Sequence, residues 1–311
     1  MIVCVTPNPA VDRTLVVPRL VPGAVHRTTR AIVAAGGKGL NAARVMLALG
    51  GKPLCLGFLG GHTGRLVADL AEREGLRGSW TWIREATRTC VILVQENGGE
   101  STVVNEPGPN VTEAEWAALA GDIVRESQAT RWICFCGSLP LDSSADTFAR
   151  LLQDLVARGR EVWVDSSGPA LAAAARVEGI NLKINAVEAA AILGGVAITD
   201  SPAAVGAARR LREAGVARAV LTLGREGAVA ATAEGCWHAR PPALAAVSDV
   251  GSGDAFLGAW MLARAQGRPA GDGLRRAAAA GAANALSIGG GQVNPADFER
   301  LIPEIVCREC G

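Results

Sequence analysis

The chain has 311 residues, of which 49% are hydrophobic and 20% charged, with a formal net charge of +1. That is enough apolar material for one large core, and near-neutrality gives no long-range steering toward nucleic acid. No basic run is interleaved with aromatics and no apolar run is long and clean enough to span a bilayer, so neither a nucleic-acid nor a membrane partner is expected.

In chain order, IVCV reads as a buried strand and leads into TPNPAVD. This start lacks the basic residues and long apolar stretch of a secretory signal, so a cytoplasmic location and free thiols are expected for the 8 cysteines. Residues 11–35 are β-like but too polar for a central strand. The stretch AAGGKGLNAARVMLALG follows. Its glycines free backbone N–H groups at a helix start, a natural anion site, and Lys38 adds a compact charge. The Walker spacing is absent. A glycine-rich turn with a solvated lysine is the plainer alternative. It is weakened because the chain's only lysines are Lys38, Lys52 and Lys183.

KPLCLGFLG then reads as a strand and TGRLVADLAEREG as a helix. Residues 84–106 read as a hairpin turning at ENGG. Together with residues 11–35, this hairpin is expected to form a small sheet that covers a site. Arg88 lies in it, where a solvated arginine is the default. The rest alternates: strand runs RWICFCG, EVWVD, INLKIN and ARAVLTLG, separated by helix runs TEAEWAALAGDIVRES, DTFARLLQDLVARG and PAAVGAARRLREAG. Such alternation predicts one doubly wound, mostly parallel α/β sheet flanked by helices, with ligands beyond the carboxyl ends of the strands.

Three later stretches carry possible chemistry. In LKINAVEAA, Asn185 and Glu188 are spaced to share a helix face. They suit hydrated magnesium, but taken alone a capping box explains them better. In LTLGREGA, Gly224 and Gly227 fit an open nucleotide edge and a tight strand-to-strand turn equally well. In SDVGSGDAFLGAW, Gly251, Ser252 and Gly253 could form an anion hole. Asp254 could then take a proton from an attacking hydroxyl, or merely stabilise the helix start; the loop alone leaves these even. His26, His62 and His238 share no motif. The absence of tyrosine excludes tyrosyl acid–base chemistry. CREC at Cys307 and Cys310 has zinc-knuckle spacing but no second pair nearby.

In this order, TPNPAVD, GGKGLNAARVMLALG, GSLP, VDSSGPAL, LGREGA and VGSGDAFLGAW resemble the ribokinase-like sugar kinases, the PfkB family, essentially end to end. The opening and the GGKG loop resemble its phosphosugar branch of 1-phosphofructokinases, tagatose-6-phosphate kinases and minor 6-phosphofructokinases. The resemblance implies a ribokinase-like fold with a β-sheet lid that also forms a homodimer contact. It implies ATP and Mg²⁺. Asp254 would be the base, with Gly251, Ser252 and Gly253 as anion hole. Asp12, Gly37 and Asn41 would bind sugar hydroxyls, while Lys38, Arg88 and Arg27 would hold the substrate's phosphate. Lys183, Asn185, Thr222, Gly224, Gly227 and Asn284 would line the ATP site, and Asn185 and Glu188 would hold magnesium through water. The implied reaction is phosphorylation of a ketohexose phosphate, fructose 1-phosphate before tagatose 6-phosphate or fructose 6-phosphate. A non-catalytic sugar-phosphate sensor is the rival from another class. One departure is Ile184, where the family's KPNxxE has proline; all three functional side chains remain.

Overall fold

A computed structural model describes residues 1–96 and 101–311. Its first strand, β1 (Ile2–Thr6), leads to the lid strands β2 (Ala10–Val17) and β3 (Arg30–Gly36) and then to α1 (Lys38–Ala48). Next come β4 (Pro53–Gly60), α2 (Gly61–Arg73), β5 (Arg77–Ile83), and the lid strands β6 (Arg88–Gln95) and β7 (Thr102–Asn105). The chain continues through α3 (Glu113–Glu126), β8 (Trp132–Cys136), α4 (Ala145–Ala157), β9 (Glu161–Asp165), α5 (Gly168–Ala174), β10 (Asn181–Asn185) and α6 (Ala186–Ile192). The last part holds α7 (Ser201–Glu213), β11 (Arg218–Thr222), β12 (Ala228–Thr232), β13 (Gly235–Arg240), α8 (Ser252–Ala265), α9 (Ala270–Asn284), α10 (Pro295–Leu301) and β14 (Val306–Glu309).

The main sheet runs β14-β13-β12-β11-β10-β9-β8-β1-β4-β5. From β11 to β5 every neighbouring pair is parallel, and the β12–β14 edge is antiparallel. All six predicted strand runs of the core fall in the parallel part. The sequence reading does not include β5, β12, β13 and β14: β5, β13 and β14 mix polar and apolar residues, which weakens the strand signal, and β12 is a short run of small residues, AVAAT, although buried throughout. Residues of a strand alternate between two cores. In β1, Ile2 and Cys4 join the face covered by α1, α2, α8 and α9, while Val3 and Val5 join the face covered by α3, α4 and α7. Trp163 of β9 meets Trp260 of α8 edge-on at 5.6 Å in the first of these cores. The alanine run of α9 is buried against α8, because residues without side-chain bulk let two helix backbones approach closely.

The second sheet has the order β3-β2-β6-β7. β2 pairs antiparallel with β3 and parallel with β6, and β6 pairs antiparallel with β7. The expected hairpin of residues 84–106 is therefore β6–β7, although residues 97–100, with most of its ENGG turn, lie outside the described residues. β7 is exposed throughout. Cys307 belongs to the edge strand β14, and Cys310 follows it, with its N–H bonded to Cys236 O at 2.8 Å. All eight cysteines are free. Among the described residues no helix is long and apolar enough to cross a membrane.

Candidate active site

Parallel strands present their carboxyl ends to one side of the sheet, and the polar residues gather there. Asp165 ends β9 and is fully buried. Its Oδ1 accepts from Lys38 Nζ at 2.8 Å and its Oδ2 from Lys183 Nζ at 2.6 Å. Burial pushes this carboxyl up, but the ammoniums of Lys183 and Lys38 outweigh it and hold the group below its ordinary value. Sequence reading missed Asp165: VDSSG looks like any strand end followed by a small-residue turn. Its partners come from residues 127 and 18 positions away.

Asp254 sits in the first turn of α8 and is 7% exposed. Burial raises its carboxyl to about 6, against the pull of Lys38, with Asp165 adding to the rise. Its Oδ2 accepts from Asn41 Nδ2 at 2.8 Å. α8 begins at Gly251, at φ 81°, with no side chain capping it. A side chain at 251 would strike the backbone of Gly290 and Gly291, so the position needs glycine for space as well as for its left-handed backbone. Ser252 N–H turns back to Asp249 O at 3.1 Å, whereas the N–H groups of Gly251 and Gly253 have no backbone partner among the described residues. These open donors at a helix N-terminus suit an anion. A Cβ at Gly253 would lie 2.9 Å from Lys183 Nζ, so the lysine ammonium braces that loop.

Asp12 faces the same space from β2 of the lid. Burial raises its carboxyl to about 6, opposed by the charges of Arg44 and Arg88 and by the nearby backbone N–H of Gly37, while Asp254 adds to the rise. Its carboxylate lies where a side chain on Gly36 would be, which explains the first glycine of GGKG. Arg88 starts β6, with Nη2 donating to Asn8 O and Nη1 to Glu106 O, both at 3.0 Å. The buried Arg88 Nε, Thr6 Oγ1 and Asn8 Oδ1 have no hydrogen-bond partner among the described residues. Unpaired buried polar atoms beside an open site suggest groups kept for a polar ligand.

Other expected residues stand differently. Asn41 was expected to bind sugar, but its amide is already committed to Asp254 and, through Oδ1, to Arg44 Nη1 at 2.9 Å. Lys183, 4% exposed, braces the anion-hole loop and does not line an open nucleotide surface. Asn284 is 0% exposed, with Nδ2 donating to Val250 O at 2.9 Å and Oδ1 accepting from Gln292 N–H at 2.9 Å. It ties the anion-hole loop to the glycine-rich stretch at 289–291 and is too buried to touch adenine. Arg27 is exposed in the β2–β3 connection, and no contact ties it to the cluster among the described residues. The IGGGQ run is the sequence signal for the 289–291 loop.

On the neighbouring strands, Asn185 and Glu188 form the capping box that opens α6. Asn185 Oδ1 accepts from Glu188 N–H at 2.9 Å and Glu188 Oε2 accepts from Asn185 N–H at 2.8 Å. One carboxylate and one amide, both partly exposed, fit magnesium held through water; no cluster of three or more His, Cys, Asp or Glu side chains for an all-protein cage occurs among the described residues. Thr222 pairs in register with Asn185, and Gly224 and Gly227 bracket the turn from β11 to β12.

A buried carboxylate beside open helix N–H groups and paired lysines, beyond the carboxyl ends of a parallel sheet, is the arrangement of a phosphotransferase with an alcohol as acceptor. The chain belongs to the pfkB family of carbohydrate kinases, which residues 3–297 match. It is 33% identical to the 1-phosphofructokinase of Rhodobacter capsulatus, over 94% of this chain and 92% of that protein. It is 35% identical to the 1-phosphofructokinase of Xanthomonas campestris pv. campestris, over 82% of this chain and 81% of that protein. The crystal structure of phosphofructokinase-2 from Escherichia coli in complex with substrates and products superposes with a TM-score of 0.90 at 27% identity, covering 97% of this chain and 98% of that one.

Proposed function

We propose that the protein transfers the γ-phosphoryl group of ATP to the free primary hydroxyl of a ketohexose phosphate, with fructose 1-phosphate as the preferred acceptor and fructose 1,6-bisphosphate as product. The observation that carries this reading is Asp254: a carboxylate raised to about 6, with Oδ2 held by Asn41, set at the open N-terminus of α8. Its Oδ1 accepts the hydroxyl proton as that oxygen attacks the γ-phosphorus. The bond to the β-phosphate oxygen breaks and ADP leaves. The N–H groups of Gly251 and Gly253 receive the transferred oxygens, and the Lys38–Asp165–Lys183 network supplies fixed positive charge beside them. Asp12 holds sugar hydroxyls and Arg88 the substrate's phosphate. Magnesium, when bound, spreads the charge of the nucleotide phosphates; Glu188 and Asn185 would hold it through water. The lid excludes water, and with it futile ATP hydrolysis.

The choice of sugar leans on the 1-phosphofructokinase relatives, whereas the structural neighbour in complex with substrates is a phosphofructokinase-2. Exposed Val33, Val103 and Val104 on the lid support a homodimer contact there, and eight free thiols suit the cytoplasm.

ADP release with fructose 1-phosphate, tagatose 6-phosphate and fructose 6-phosphate, compared by kcat/KM, tests the acceptor. No release with any of the three would favour the sensor reading. Asp254→Asn is expected to keep the fold and lower kcat by roughly 10²–10⁴; near-wild-type turnover would remove the base assignment.

A further inference from the structure

Arg44 lies one helical turn beyond Asn41 on α1, buried, and it uses its whole fork. Nη1 donates to Asn41 Oδ1 at 2.9 Å and to Gly290 O at 2.8 Å. Nη2 donates to Ala35 O of the lid strand β3 at 2.8 Å, and Nε donates at 2.7 Å to Oε2 of Glu74, the C-cap of α2. Glu74 thus neutralises the guanidinium and fixes its plane. One cation thereby joins the lid root, α1, α2 and the glycine-rich stretch at 289–291.

An amide side chain has two faces of similar shape and opposite hydrogen-bonding sense. A guanidinium can only donate, so it accepts only the carbonyl oxygen as a neighbour. With Oδ1 turned to Arg44, the amide must present its NH₂ to Asp254. In the flipped amide, NH₂ would meet guanidinium and carbonyl would meet carboxylate, two repulsive contacts. We propose that Arg44 is a positioning residue for the phosphoryl-transfer base: locked by Glu74, it fixes the sense of the Asn41 amide, which immobilises Asp254 Oδ2 and leaves Oδ1 to receive the hydroxyl proton. This rests on the reading of Asp254 as base. The other charged groups acting on Asp254 are Lys38 of α1, Asp165 of β9 and Lys183 of β10, and Asp12 of β2 shares its field. Among the described residues the Asn41 amide bonds only Asp254 and Arg44, so none of these groups substitutes for Arg44 in this role.

The test compares the kcat–pH profiles of wild type, Arg44→Met, Arg44→Lys, Asn41→Ala and the Asn41→Ala/Arg44→Met double variant, all on folded protein with MgATP and the best phosphosugar. Arg44→Met is expected to lower kcat roughly 10- to 100-fold, as a misplaced catalytic group does, with a much smaller change in KM. Its acid limb should move up by about one pH unit, because a flipped amide carbonyl favours the protonated carboxyl. Arg44→Lys keeps the cation but not the fork, and should fall between. On the Asn41→Ala background the Arg44 substitution should cost little more, since the amide it orients is gone. If Arg44→Met does not fold, the cycle is run with Arg44→Lys, with the same sign expected at smaller size. An unmoved acid limb, or an equal loss of kcat with and without Asn41, would overturn the proposal. Asp254→Asn serves as control. Full turnover there would remove the base itself, whereas a dead Asp254→Asn beside an indifferent Arg44→Met removes only the role of Arg44.

Discussion

The two halves of the site are built in opposite ways. Around Asp254 and Asp165 the polar groups are buried and interlocked: β9 and β10, the starts of α1 and α8, and the lid strand β2 each contribute one or two side chains. Around Asn185 and Thr222 the groups are more exposed and more loosely tied: Asn185 and Glu188 close a local capping box, and Thr222 Oγ1 donates to Ile184 O on the adjacent strand at 3.4 Å, just before the tight turn at Gly224–Glu226. The first half can keep fixed charges in a low dielectric, where they act strongly and need no reorganisation. The second suits a ligand that arrives with its own charge, cation and water.

The contrast predicts very different sensitivities. The largest is at Asp165, which compensates two ammoniums, one of them buried. Asp165→Asn removes the carboxylate that bonds both Lys183 and Lys38; breaking a buried pair in this way typically costs about 3–5 kcal/mol, and a loss in that range is expected in denaturant unfolding. If the variant loses less than about 1 kcal/mol, an amount usual for surface sites, the charges are solvated and the two halves are alike. The lowered Asp165 carboxyl also stabilises the fold above the ordinary carboxylate range, and that contribution is lost as pH falls through its depressed value.

Next in size is the pH response. Asp254 and Asp12 are both raised to about 6 by burial. Transfer requires Asp254 ionised, so kcat should fall as pH drops through about 6, and ionisation of Asp12 should steepen the limb in kcat/KM. Stability moves the other way at these groups. A raised carboxyl binds its proton more tightly in the folded chain, so its contribution is complete below the unfolded value and lost as pH rises through about 6. An acid limb near 4 in the kcat profile would mean that Asp254 is not desolvated when substrate is bound.

The same contrast decides what was legible in the sequence. Local devices could be read directly: the parallel strands from their apolar runs, the helix runs between them, and the glycine starts of α1 and α8. Asp254 was singled out because its loop is contiguous, GSGD. Asp165 and Arg44 could not be read, since their roles exist only through partners brought in from distant elements. Asn41 and Lys183 were assigned to ligands for the same reason. Their side chains suit a ligand, and only the packed structure shows that each is already used on another protein group. The capping box at Asn185 was legible from spacing alone, because it closes within four residues.

That capping box provides the smallest and sharpest prediction. Glu188 has two roles that a single substitution separates. As the third residue of α6 it accepts Asn185 N–H through Oε2, which glutamine also does in such boxes. As a carboxylate it offers charge to a water-held cation, which glutamine does not. Glu188→Gln should therefore change unfolding free energy by less than about 0.5 kcal/mol. It should raise the KM for MgATP severalfold, consistent with loss of a partly screened charge interaction of about 1 kcal/mol, with KM for the phosphosugar unchanged. An equal rise in both Michaelis constants would place Glu188 in the interlocked half after all. An unchanged KM for MgATP, with stability also unchanged, would leave the carboxylate no role beyond closing the helix.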